Sequence, residues 1–93
     1  MITQEQAHII KTVLSPFQPQ EIGIFGSYAR NENKPESDLD ILVSFGQRVN
    51  LFELIGMEQE LSTQLGLKVD LVTRQSLSPL LTNVVEKDLQ MIA

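Results

Sequence analysis

Two aspartates separated by one residue begin a segment that otherwise has the character of a buried strand. They are Asp38 and Asp40 in the stretch SDLDILV. Side chains two positions apart on a strand point to the same face, where like charges repel. The pair therefore costs stability unless the carboxylates are solvated at the strand end or a cation lies between them.

A glycine-serine pair and a third aspartate complete the candidate chemistry. Gly26 and Ser27 follow the apolar stretch EIGIF, and Asp70 lies in the apolar stretch VDLVT. A glycine turn that begins a helix offers free backbone N–H groups to an anion. If the strands of Asp40 and Asp70 are neighbours, three carboxylates converge on one face. Hard oxygen ligands of this kind suit Mg²⁺, and two such ions stabilise the attacking and leaving oxygens of phosphoryl-type transfer.

Composition excludes several other kinds of site. The 93 residues contain no cysteine and a single histidine, His8, so disulfides, thiolate metal sites and histidine-rich metal sites are excluded. The net charge is −5 and the basic residues are scattered, which argues against autonomous nucleic-acid binding. The N-terminus is polar by its third residue, and no apolar run approaches membrane-spanning length. We expect a single domain over residues 1–93, cytoplasmic and without a membrane partner.

Hydrophobic periodicity and turn residues predict an α/β fold with elements in the order α-β-α-β-α-β-α. A capping box at Thr3 begins the first helix, Asn50 begins a long amphipathic helix, and Gly66 ends it. Ser78 and the following proline begin the last helix, whose apolar positions run to Ile92. The predicted strands are 21–25, 39–44 and 67–73, and a short helix at 28–31 follows Ser27. These elements predict a small mixed three-stranded sheet.

The alternation of the second strand predicts which face carries the site. Leu39, Ile41 and Val43 share one face, against which the long helices should pack. Asp38 and Asp40 share the opposite face, which three strands leave partly open. Asp70 alternates in the same sense, so the carboxylates are expected on the open face.

The stretch GSYARNENKPESDLDILV resembles the signature of the nucleotidyltransferase superfamily of the DNA polymerase β type. That signature is Gly-Ser, ten residues, and Asp-x-Asp in a hydrophobic strand. The short chain, the SYAR after the glycine and the third aspartate in VDLVT resemble the minimal nucleotidyltransferases, the MNT group. One departure is Asn31, where members commonly have glycine; asparagine also tolerates a left-handed backbone.

The resemblance implies a nucleotidyltransferase fold and a role for each matching residue. Gly26 and Ser27 would hold the nucleotide phosphates, and Arg30 would steady the triphosphate charge. The two Mg²⁺ ions would be held by all three aspartates, Asp38, Asp40 and Asp70. Asp70 would also position or deprotonate the attacking hydroxyl.

The resemblance also implies a partner. MNT proteins act as antitoxins of small helical HEPN toxins, in some pairs by transferring AMP from ATP to a tyrosine of the toxin. For this chain it implies a protein adenylyltransferase in a hetero-oligomer with a HEPN-type partner. Leu80, Leu81, Val84 and Val85 make the last helix more apolar than one buried stripe requires, which favours contact with a partner.

Simpler interpretations remain open for each feature. The aspartate pair fits a solvated strand end, Asp70 fits an edge-strand charge, and Gly26-Ser27 fits a plain capped turn. Arg30 fits a solvated surface charge. Two other functions also fit: a non-catalytic MNT-like module that neutralises its partner by contact, and an enzyme that transfers a nucleotidyl group to a small molecule.

Overall fold

The computed structural model describes residues 2–93 as three α-helices on a four-stranded mixed sheet. The elements are α1 (Gln4–Leu14), β1 (Pro19–Phe25), β2 (Leu39–Phe45), α2 (Leu51–Leu65), β3 (Val69–Thr73), α3 (Pro79–Asp88) and β4 (Gln90–Met91), with short 3₁₀ turns at Ser15–Phe17 and Arg74–Ser76. None of the helices described between residues 2 and 93 combines the length and apolar character needed to cross a bilayer.

Side-chain caps fix where the first two helices begin. The Thr3 hydroxyl accepts a hydrogen bond from the Gln6 backbone N–H at 3.0 Å, and the Gln6 side chain accepts one from the Thr3 N–H at 2.8 Å. Asn50 and Glu53 form the same reciprocal capping box on α2. Gly66 then ends α2 with φ of 70°, a left-handed conformation that glycine adopts without steric cost. These predicted boundaries are confirmed.

The sheet order β3-β2-β1-β4 places β2 and β3 side by side as parallel strands, with β1 antiparallel to β2. The core lies on the face of β2 that was predicted, where Leu39, Ile41 and Val43 are fully buried. α1 and α2 cover that face with a set of buried side chains: Ile10, Leu14, Met57 and Leu61. The α/β class, the mixed sheet and the buried face are confirmed.

The predictions of a three-stranded sheet and of a last helix that reaches Ile92 were both wrong, and both errors concern residues 89–92. The helix ends at Asp88, so Leu89 and Ile92 lie outside it, and Gln90–Met91 pairs with β1 as a fourth strand. The Ile92 N–H donates to the Ile22 carbonyl at 2.8 Å. The added strand satisfies backbone groups on the edge of β1 that would otherwise be unpaired.

Two local predictions also need correction. Residues 26–31 form turns rather than a helix after Ser27, because their backbone hydrogen bonds span three, four and five residues instead of repeating one interval. The predicted order therefore loses its second helix. Asn31 takes the left-handed conformation, with φ of 60°. β3 begins at Val69, two residues later than predicted, where the Ser62 hydroxyl accepts the Val69 N–H at 3.0 Å.

α3 covers the second face of the sheet and is held there by two arginines. Arg74 donates to Glu21 of β1 at 2.9 Å and to Glu86 of α3 at 2.6 Å. Arg30, in the turn after β1, donates to Asp88 at the end of α3 at 2.5 Å. The face predicted to be open is therefore partly roofed, and the space below the roof contains the candidate site.

Candidate active site

One row of the sheet brings two of the predicted carboxylates together. In the register of the strands, Phe25 pairs with Asp40, and Asp40 pairs with Asp70. Side chains that pair directly on neighbouring strands point to the same face and lie close together. Asp40 and Asp70 therefore stand next to each other on the face that α3 roofs, as the sequence predicted.

Gly26 lies directly against Asp40. Its φ is 74°, and a β-carbon built at this position would overlap the Oδ2 atom of Asp40. Two constraints therefore require glycine here: the left-handed backbone and the absence of space for any side chain. The turn after β1 is thus fitted closely to the carboxylate of β2.

The carboxylate of Asp40 is placed where a negative charge is unfavourable. Burial, followed by repulsion from Asp70 and Asp38, raises the pKa of Asp40 from 3.8 to about 6. The Arg30 guanidinium acts in the opposite direction and lowers this pKa. The site therefore concentrates negative charge that a cation would stabilise.

The third predicted carboxylate has a different neighbour. Asp38 lies just before β2, and its Oδ2 is 3.8 Å from the Nζ of Lys68. The Lys68 side chain is 78% exposed, so the ion pair is weak and does not fix Asp38 in place. Across residues 2–93 no three acidic, histidine or cysteine side chains are already gathered at metal-ligand spacing. The assignment of Asp38 as a metal ligand stays a prediction.

A cavity of about 460 Å³ opens over the carboxylate pair. Its polar wall contains Gly26, Arg30, Asp40, Asp70, Ser76 and Asp88, and its apolar wall contains Phe25, Val72, Leu77, Leu81, Val84 and Val85. Four of the six predicted site residues thus border one space. Ser27 and Asp38 are not part of the cavity wall.

The donor set fits a divalent cation. Asp40 and Asp70 offer hard carboxylate oxygens from adjacent strands. A cation bound between them would offset their mutual repulsion and favour the ionised form of both. Gly26 keeps the space beside Asp40 free of any side chain. A magnesium ion there would be held by Asp40 and Asp70, with Asp38 two residues away along the chain.

Asp88 is a site residue that sequence reasoning missed. It borders the cavity and binds Arg30, yet it lies 58 residues away from Arg30 in the chain. Its sequence context, a polar position of the predicted amphipathic last helix, is typical of a solvated charge. No local pattern marks it, because only the fold of α3 across the sheet brings the two residues together.

A small α/β domain with paired strand carboxylates beside a glycine turn is the arrangement expected of a nucleotidyltransferase. The family model described as "Nucleotidyltransferase domain" matches residues 7–92. The chain belongs to this family, and the predicted enzyme class is confirmed.

Particular relatives lie in the minimal group. The protein adenylyltransferase MntA of Thermococcus cleftensis is 44% identical over 82 residues, which are 83% of each protein. A chain in the crystal structure of a toxin–antitoxin pair with AMP-PNP superposes with a TM-score of 0.85 at 27% identity, covering 94% of this chain and 72% of that one. A chain in the complex of tri-AMPylated Shewanella oneidensis HEPN toxin with MNT antitoxin gives 0.80 at 26% identity, covering 99% and 72%. The predicted fold and the resemblance to MNT antitoxins are confirmed.

Proposed function

We propose that this protein is an Mg²⁺-dependent adenylyltransferase that moves AMP from ATP to a hydroxyl group, most simply a tyrosine, of a HEPN-type partner and so acts as its antitoxin. The observation that carries the proposal is the pair Asp40 and Asp70, adjacent on neighbouring strands below a cavity of about 460 Å³. Gly26, fitted against Asp40, supports it.

The residues divide the chemistry between them. Asp40, Asp70 and Asp38 would together hold two Mg²⁺ ions. These ions would supply Lewis-acid stabilisation of the phosphoryl oxygens. Asp70 is the more exposed of the facing pair, which supports a role for it in orienting an incoming hydroxyl and accepting its proton. The hydroxyl oxygen bonds to the α-phosphorus, the bond from that phosphorus to the bridging oxygen breaks, and pyrophosphate leaves with the electron pair. Backbone groups at Gly26 and Ser27, and the Arg30 guanidinium, would bind the phosphates.

Two observations support a protein as the acceptor. The solved relatives include an MNT antitoxin in complex with an AMPylated HEPN toxin. In this chain Leu80, Leu81 and Val84 of α3 are 88%, 54% and 60% exposed, and the last two also border the cavity. An apolar surface continuous with the site favours docking of a macromolecule that presents the hydroxyl.

The proposal is tested with purified protein, α-labelled ATP and Mg²⁺ in lysate of the source organism. Wild-type protein should label one protein band and capture it, whereas Asp40→Ala should capture the same band without labelling it. Capture without labelling by both proteins would instead support neutralisation by contact. Labelling of a small molecule in a protein-free extract would make the acceptor non-protein.

The α3 surface gives a separate prediction. Leu80→Glu should reduce labelling of the protein acceptor about tenfold, because a charge replaces an apolar side chain that binding would bury. The Kd for AMP-PNP should not change, since Leu80 is not part of the cavity wall. Phe52→Glu on α2, at an 85% exposed position, is the matched control and should label normally. Equal loss in both variants would contradict docking at α3.

A further inference from the structure

The ion pair between Arg30 and Asp88 differs from the other arginine contacts around α3. The Asp88 side chain is only 19% exposed, and its Oδ2 lies 2.5 Å from Arg30 Nη1. The second partner of Arg30, Glu32, is 62% exposed and lies 3.4 Å from Nε. Asp88 is therefore the partner that determines where the guanidinium lies, because shorter and less exposed charge-assisted contacts are the stronger ones.

The ion pair of Arg30 and Asp88 lies at the candidate active site. Arg30 and Asp88 both border the cavity, as do Asp40 and Asp70. A guanidinium has five N–H donors, so contacts with Asp88 and Glu32 still leave Arg30 donors for an anion.

We propose that Asp88 is a positioning residue, which holds the Arg30 guanidinium at the wall of the cavity that Asp40 also borders, where it can bind the triphosphate of the nucleotide. This inference rests on the proposed function, since it requires that the cavity binds a nucleotide. Asp88 holds one edge of the planar guanidinium group, at Nη1, before the substrate binds. Part of the entropy cost of ordering a long side chain is thereby met in the free protein.

The end of α3 is itself held rigidly enough for this role. Directly after Asp88, the chain turns into β4, whose backbone pairs with β1. Leu89 then packs over Gly23, where a β-carbon would lie 2.6 Å from Leu89 Cδ1. Asp88 is thus fixed between a helix end and a strand, while Arg30 is in a turn with an exposed side chain. The carboxylate is the fixed member of the pair and the guanidinium is the one positioned.

The chain also contains a matched control. Glu86 is two residues away on α3 and binds an arginine, Arg74, at 2.6 Å. Glu86 and Arg74 are not part of the cavity wall. Both ion pairs join α3 to the rest of the fold. A purely structural role therefore predicts that any loss of nucleotide binding follows the loss of melting temperature in the same way for Asp88→Asn and Glu86→Gln.

The test measures the Kd of AMP-PNP with Mg²⁺ and the melting temperature for Asp88→Asn, Glu86→Gln, Arg30→Ala and the double variant Arg30→Ala/Asp88→Asn. We expect Asp88→Asn to weaken binding about tenfold, as for loss of one charge-assisted contact, and Glu86→Gln to leave it unchanged. In the Arg30→Ala background, Asp88→Asn should add less than about twofold, because it acts through Arg30.

Three outcomes would overturn the positioning role. They are equal Kd changes in Asp88→Asn and Glu86→Gln, an undiminished effect of Asp88→Asn without Arg30, and tighter binding by Asp88→Asn, which would mean that the carboxylate only repels the phosphates. Wild-type protein that does not bind the nucleotide would overturn the proposed function and this inference together. The two failures are therefore distinguishable.

Discussion

Asp40→Asn is expected to reduce nucleotidyl transfer about 10³-fold and, without metal, to raise the melting temperature of the protein above pH 6. The amide keeps the shape of the side chain but removes a ligand charge. The stabilisation that a bound metal gives the transition state is several kcal/mol, which corresponds to a rate factor of this size. Asp70→Asn should lose activity similarly, whereas Glu36→Gln, on an exposed residue of the preceding loop, should retain it.

The sign of the stability effect follows from the pKa of Asp40. Burial and the facing carboxylates Asp70 and Asp38 raise it from 3.8 to about 6, against the opposing Arg30 charge. The folded state therefore binds the Asp40 proton more tightly than the unfolded state does. Protonation of Asp40 thus favours folding at low pH, and this contribution to the free energy of unfolding is lost as the pH rises from about 4 through 6. Asp40→Asn removes this loss.

The measurement is a thermal melt between pH 4 and 8, in EDTA and in Mg²⁺. In EDTA the wild-type melting temperature should fall relative to that of Asp40→Asn as the pH rises through this range. Mg²⁺ should recover the wild-type protein and leave Asp40→Asn unchanged, since ligand binding stabilises only the form that binds. Parallel curves in EDTA, or equal stabilisation of both proteins by Mg²⁺, would contradict the account.

Gly26→Ala is expected to reduce transfer about 10²-fold, the second largest effect. A methyl group at this position meets the Asp40 carboxylate, which must then move, and displacements near 1 Å cost about this factor. The left-handed backbone adds a stability cost of about 1 kcal/mol.

Substitutions at two other glycines separate the effect of the Asp40 contact from the effect of the left-handed backbone. Gly66 has φ of 70° but open space around it, so Gly66→Ala should lose the same stability and keep full activity. Gly56 lies within α2 and also has open space, so Gly56→Ala should gain about 0.5–1 kcal/mol. The measurements are urea unfolding and transfer rates for the three variants. Equal activity in Gly26→Ala and Gly66→Ala would mean that the contact with Asp40 has no catalytic role.

The parts of the fold that local chemistry determines were predictable from the sequence. The capping boxes at Thr3 and Asn50 and the glycine at 66 act through neighbours only a few residues away, and all three boundaries are confirmed. The alternation in β2 correctly separated the buried face from the face that carries Asp40, because side-chain direction on a strand has a fixed period.

The errors arose where distant segments determine the structure. Gln90–Met91 is too short to be identified as a strand, and it forms only because the edge of β1 lies beside it. The sequence after Gly26 resembles the start of a helix, but the structure forms turns there. The backbone at Gly26 packs directly against the Asp40 carboxylate, a contact between segments that local sequence does not reveal. The sequence predicted that Asp70 and Gly26 would lie near Asp40, and the strand register and the Gly26 contact place them there. The ion pair between Asp88 and Arg30 was not predictable, because it depends on the path of α3.

The most direct measurement of the central claim compares ATP labelled at the α-phosphate with ATP labelled at the γ-phosphate, each with Mg²⁺ and the acceptor in lysate, for wild-type protein and Asp40→Asn. We expect only the α-label to enter the acceptor, only with wild-type protein, and pyrophosphate to be released in equal amount. Transfer of the γ-label would make the protein a kinase and contradict the account, as would undiminished transfer of the α-label by Asp40→Asn.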